Sequence, residues 1–131
     1  MLLHSIAYEV LIRMEGLHPE LEVDTEALGH IRLGFLREPC TRLLGYCSYS
    51  DNRKGRPRTE YTERHGTHRI LISRVHMLSD LPDAIFTIHH EFLHAILGGK
   101  EGHGAKFQKH EPRIEQVISE IRQKICNVQE L

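Results

Sequence analysis

His90-Glu91-Phe92-Leu93-His94 sets a glutamate between two histidines four positions apart, the spacing in this chain best suited to chemistry. On an α-helix four residues advance about 400° and rise about 6 Å, so both imidazoles face one side, one turn apart, and can reach a single metal ion. Glu91 lies beside that face, placed to take a proton from water rather than to bind the metal. Ile88, Phe92, Leu93, Ala95 and Ile96 are apolar; they bury the other faces and hold the histidines in a dry, rigid setting. A catalytic zinc site takes three protein ligands and keeps one position open for water. His103, within Glu101-Gly102-His103-Gly104, follows nine residues after His94. Gly98-Gly99 lets the chain turn back, and the glycines flanking His103 let backbone approach the metal. Glu101 and His110 are the alternative third ligands. His89 points about 100° away from His90 and reads as a structural or supporting residue. His110 shares a helix face with His103 and reads as packing or support, and Cys47 as buried filler.

These residues need elements to hold them. Leu3, Ile6, Ala7, Val10, Met14 and Leu17 recur at helical spacing, so residues 3–16 read as an amphipathic helix stopped by Gly16 and His18-Pro19. Ile31–Leu36, Leu43–Tyr49 and His68–Val75 read as strands, with residues 20–30 ambiguous between the first helix and them. The polar stretch between Tyr49 and His68 must be a long exposed loop. Leu78–Pro82 reads as a turn, with Asp80 or Asp83 capping a strongly apolar helix over 83–97. A last helix runs from about Gly104 to Cys126, kinked or divided at Glu111-Pro112 because proline removes a helical hydrogen bond. The order predicts an α+β domain spanning residues 1–131: a small antiparallel sheet of about three strands, packed with an N-terminal helix, the histidine-bearing helix and a C-terminal helix.

Composition narrows the classes. The chain has 131 residues, 40% hydrophobic and 27% charged, which excludes a disordered or fibrous protein. Its formal net charge of −1 excludes a polycation built to coat nucleic acid. The outlier is histidine, with 11 residues and no tryptophan beside them, and histidine is the commonest metal ligand. Nothing approaches the roughly 18 consecutive apolar residues of a membrane span. Three cysteines without a CxxC pair exclude a disulfide framework and a cysteine-based zinc ribbon. Glu9 and Arg13 interrupt the apolar N-terminus, which does not read as a signal peptide. A reducing, cytoplasmic compartment is the expectation.

HHEFLHAIL and EGHGAKFQKHEPRI together resemble the SprT-like zinc metallopeptidases, which include the Spartan group of DNA–protein crosslink proteases. That pattern reads H-E-x-x-H-A, a variable loop, then G-H-G-x-x-F-x-K-H-x-x-R-I. Here His90, Glu91, His94, Ala95, Gly102, His103, Gly104, Phe107, Lys109, His110, Arg113 and Ile114 fill it, with Glu101 ahead of the glycine. Gly45-Tyr46-Cys47-Ser48-Tyr49 and Ile70-Leu71-Ile72-Ser73 resemble the strands of that family, and the likeness covers roughly residues 28–118. It implies a zincin-like fold, Zn²⁺ as cofactor, His90, His94 and His103 as its ligands, and Glu91 as general base. It also implies a protein substrate. The loop between His94 and His103 is shorter than the family pattern.

Between Cys40 and Arg74 eight basic side chains stand against three acidic ones, while the first 39 residues hold three basic against seven acidic. Arg53, Lys54, Arg56 and Arg58 crowd together there, compatible with single-stranded or damaged DNA as a partner and with nucleoid or nuclear association. A solvated loop is the alternative. The expected activity is a zinc-dependent endopeptidase, with an extended substrate paired to a strand edge. Tyr46, Tyr49, His65 and Arg113 are candidates for an additional oxyanion donor. Two rivals stand beside it. A non-proteolytic, nucleic-acid-associated zinc module has no need of Glu91 and closes with a fourth protein ligand. A three-histidine metal-dependent endoribonuclease spaces its histidines H-x3-H-x5-H, whereas the second gap here is eight residues and Glu91 sits where a base belongs. The sequence says nothing of oligomeric state.

Overall fold

Leu3, Ile6, Ala7, Val10 and Met14 are buried along one side of the first helix, α1 (Leu2–Leu17), at the spacing that puts them on one face. A computed structural model describes residues 2–36, 45–50, 67–98 and 101–129. After α1 come a short helix α2 (Thr25–Gly29) and strands β1 (Arg32–Phe35), β2 (Gly45–Ser50) and β3 (Thr67–Ile72). Helices α3 (Arg74–Ser79), α4 (Leu81–Leu97) and α5 (Ala105–His110) follow, then a 3-10 helix (Glu111–Gln116) and α6 (Ile118–Gln129). The architecture is α+β and mostly helical, and none of the described helices is long and apolar enough to cross a membrane.

The three strands form one sheet in the order β1-β3-β2. It is mixed rather than antiparallel throughout. β2 runs antiparallel to β3, but β1 pairs parallel to β3, with Arg32 opposite Arg69 and Leu33 opposite Ile70. The chain reverses between β1 and β2 and again between β2 and β3, so β1 and β3 point the same way. Because β3 inserts between the other two, the two like-directed strands become neighbours. Ile70 and Ile72 turn inward to the core and Arg69 turns out, the alternation of a half-buried sheet.

The third strand stops earlier than its apolar pattern implies. Ser73 caps α3, its hydroxyl accepting from the His76 amide, so Arg74 and Val75 are helical. The expected turn over Leu78–Pro82 is the end of α3 and the start of α4. Asp80 accepts from the Asp83 amide at 3.1 Å, and Pro82 sits in the first turn, where its missing N–H has no helical partner to lose. The division at Glu111-Pro112 falls as expected: α5 ends at His110 and a 3-10 helix begins.

Helix α4 is the centre of the molecule. It packs on β2 and β3 on one side, on α1 and α6 on the other, and touches α3, α5 and the 3-10 helix. Ile85, Ile88, Phe92 and Leu93 are completely buried along it. Burying each such side chain contributes about 1.5–3 kcal/mol, so the helix that carries the histidines is also the best-anchored element.

Candidate metal centre

The helical pitch of α4 and the turn after it bring three imidazoles together. His94 Nε2 lies 3.1 Å from His90 Nε2 and 3.2 Å from His103 Nε2, and His103 Nε2 lies 3.4 Å from His90 Nε2. Two nitrogens held about 2.0–2.1 Å from one tetrahedral zinc stand about 3.3 Å apart, so the spacing fits a bound cation. Three converging nitrogens cannot all be paired by protons among themselves; one cation satisfies all three lone pairs. Among the described residues His90, His94 and His103 form the group able to hold a metal ion.

Burial, and then the neighbouring imidazoles, push His90 and His94 down to about 4. They are therefore neutral near pH 7, the form that ligates metal. Glu111 sets the tautomer of His90: Nδ1–H donates to Glu111 Oε2 at 3.1 Å, which leaves Nε2 as an inward lone pair. Phe107, fully buried, backs the whole trio, with ring centroids 4.8 Å from His90, 4.5 Å from His94 and 5.1 Å from His103. His103 itself is exposed. It is presented by a turn in which Gly102 adopts φ +54°, a conformation that disfavours a side chain. Gly104 approaches Glu101, rather than a metal position: a Cβ there would stand 2.9 Å from the Glu101 carbonyl oxygen.

Glu91 is 4% exposed. Its Oε1 is 3.8 Å from His90 Nε2, and its Oε2 has no hydrogen-bond partner. Burial pushes this carboxyl up to about 7. Strand β2 closes the site from the other side, because a Cβ at Gly45 would meet Thr87 Cγ2 at 2.7 Å and Glu91 Cγ at 3.3 Å. Cys47, also on β2, is pushed up to about 12 by burial and then by the Glu91 charge, so it stays a thiol and lies outside the histidine group.

The alternative third ligands are engaged elsewhere. Glu101 Oε1 accepts from the Lys106 amide at 2.9 Å and caps α5. His110 is buried, with Nδ1–H donating to the Lys106 carbonyl at 2.8 Å and its ring edge-on to His18. Arg113 donates to the Leu17 carbonyl and to both oxygens of Glu20, which ties α1 to the 3-10 helix and occupies the donors an oxyanion would need. Tyr46 and Tyr49 lie on β2. His65 and the basic residues Arg53, Lys54, Arg56 and Arg58 lie outside the described residues.

Sequence reasoning missed three participants. Glu111 carries no signal, standing 21 residues from the histidine it orients. Phe107 shows only as a motif position four residues after His103. His18, read as a helix stop, is completely buried, with Nε2 2.8 Å from Nε2 of His89.

Fold and site together define an α+β domain whose central helix and following turn present a three-histidine group able to hold a metal. The family model described as SprT-like matches residues 20–127, and the chain belongs to the SprT-like family. No curated protein and no solved structure matches the chain significantly.

Proposed function

We propose that this protein is a zinc-dependent endopeptidase acting on protein substrates, DNA-associated or DNA-crosslinked proteins among them, with Glu91 as general base. One observation carries the reading. Beside three converging imidazoles sits a buried carboxylate with one unpartnered oxygen, pushed up to about 7. A purely structural site has no use for that group, and among the described residues no fourth ligand closes the trio.

Zinc held by His90, His94 and His103 would supply activation of water and polarisation of a carbonyl. The chain's own residues do the rest. Glu91 takes a proton from the attacking water and hands it to the leaving amine, a shuttle that works best with a pKa near the working pH. Glu111 keeps the His90 lone pair aimed at the metal position. Among the described strands β2 lies at the edge of the sheet and approaches Glu91 at Gly45, so a peptide added along it in extended form passes beside the base. That favours peptide over RNA as the substrate. Arg53, Lys54, Arg56 and Arg58 are proposed to hold nucleic acid through phosphates, a recruiting role separate from the chemistry.

The test is incubation of zinc-loaded protein with a DNA-bound protein, with and without the DNA, alongside Glu91→Gln. The expected result is zinc-dependent fragments or self-cleavage, falling 10²–10⁴-fold in the variant with zinc content unchanged. Absence of cleavage by the zinc-loaded protein, or variant activity within about tenfold of the parent when a general base is worth far more, overturns the assignment.

A further inference from the structure

Of the three converging imidazoles, only His90 has its outer nitrogen paired among the described residues, through Nδ1–H to Glu111 Oε2 at 3.1 Å. His94 and His103 meet their polar neighbours at Nε2, within the trio itself. A ligating histidine ordinarily has its second nitrogen held by a carboxylate, a carbonyl or water, which fixes the plane of the ring. Among the described residues something other than a hydrogen bond sets the planes of these two. Three lone pairs aimed at one point repel, and His103 is exposed, so its ring would swing toward water unless packing held it.

Phe107 supplies that packing. The imidazole centroids of His90, His94 and His103 stand 4.8, 5.2 and 4.8 Å from one another. The Phe107 centroid lies 4.8, 4.5 and 5.1 Å from them, so the four rings mark the corners of a nearly regular tetrahedron. Phe107 stacks on His94 at an interplanar angle of 27° and meets His90 and His103 edge to face, at 77° and 84°. Offset stacks and T-shaped contacts are the arrangements that an aromatic quadrupole favours. One flat ring thus sets the tilt of three others, and having no N–H or O–H it takes none of their lone pairs. It also docks the third ligand on the first two: Phe107 belongs to α5, which follows His103, while His90 and His94 belong to α4. Glu101 caps α5 through the Lys106 amide, and Gln108 Nε2 donates to the His103 carbonyl at 2.9 Å. Those two contacts shape the backbone of the turn; Phe107 acts on the rings.

We propose that Phe107 is a positioning residue for the metal: its ring holds the imidazoles of His94 and His103 converged on His90 before the ion arrives, so that the metal-free protein keeps a preformed three-nitrogen site. The inference rests on the trio as the metal site and not on the peptidase reading. It sets this chain apart from small zinc modules, which fold only when their metal binds.

The test takes the full-length chain freed of metal and adds zinc alone. In the metal-free parent, nuclear Overhauser contacts from the Phe107 ring to the His94 and His103 rings should already be present, and zinc should leave them in place. Zinc affinity is then read by competition against a chelator in Phe107→Leu, which keeps an apolar side chain and loses the flat face, and in Phe92→Leu. Phe92 is equally buried but sits about 200° round α4 from His90, so its truncation loosens the core on the far side of the helix. Phe107→Leu should bind zinc at least about tenfold more weakly, as residues that orient metal ligands do, while Phe92→Leu keeps the parental affinity. Both metal-free variants should melt at lower temperature than the parent, because each leaves a cavity; a Phe107 that only fills the core would share the affinity of Phe92→Leu as well. Parental affinity in Phe107→Leu, an equal loss in both variants, or contacts that form in the parent only after zinc is added overturn the inference and leave the trio standing. A parent that binds no zinc removes the trio and this role of Phe107 together. The contacts in the parent decide the matter even if Phe107→Leu does not fold.

Discussion

His90 Nδ1 and Glu111 Oε2 stand 3.1 Å apart, joining the central helix to the 3-10 helix through the back of a metal-facing imidazole. The contact fixes the ring plane of His90 and the side on which its proton sits. Glu111→Ala should leave the fold intact and weaken zinc 10- to 100-fold, the usual loss when a carboxylate behind a ligating histidine is removed. Glu111→Gln, which keeps an acceptor oxygen, should lose less. Competition against a chelator reads both, and parental affinity in the alanine variant would remove Glu111 from the site.

The identity of the third ligand separates by substitution. His103→Ala should lower zinc affinity more than Glu101→Ala or His110→Ala. Glu101 caps α5 and His110 packs on His18, so their loss should appear in thermal stability first. A chelator titration that ranks Glu101 or His110 as the costliest removal would overturn the trio.

The His18–His89 pair predicts an acid-sensitive fold. Burial pushes His18 down to about 4 and holds His89 neutral as well. In the unfolded chain both titrate near 6.5. The unfolded state therefore binds more protons below that pH, and stability is complete above about 6.5 and falls as the solution is acidified toward the folded values. Each histidine contributes a slope of about 1.4 kcal/mol per pH unit within that window. Urea unfolding at several pH values reads it, and His18→Leu should make the dependence shallower. At pH 7.5 the same variant should lose about 1–3 kcal/mol, because the His89 nitrogen is left buried without its partner. An identical acid slope in the parent and the variant would contradict this account.

The basic segment between β2 and β3 makes a separate electrostatic prediction. If Arg53, Lys54, Arg56 and Arg58 each neutralise one phosphate of single-stranded DNA, the log–log salt slope of binding should be about −3, from roughly −0.7 per contact. Replacing all four with serine should flatten that slope without changing the zinc content. A parent protein whose DNA binding ignores salt would remove these four side chains from any phosphate contact.

What was legible in the sequence is what helix pitch and local chemistry decide. His90 and His94 share a face because four residues make slightly more than one turn, whatever packs around them. The buried stripe of α1, a cap at Asp80 or Asp83 and the break at Pro112 follow in the same way from spacing, a side-chain acceptor and a missing N–H, and the structure settles the cap on Asp80. Strand direction did not follow, because Ile31–Leu36 looks the same whether its neighbour runs parallel or antiparallel. Only the insertion of β3 between β1 and β2 decided it. The end of β3 was misread because the apolar run continues into Val75, while the Ser73 hydroxyl starts a helix. Glu111 behind His90, His18 against His89 and Arg32 beside Arg69 are separated by 21, 71 and 37 positions respectively. No periodicity links residues so far apart. Their meeting depends on how α1, the sheet and the segment after α5 pack around α4, and that packing is set by the summed burial of the whole core.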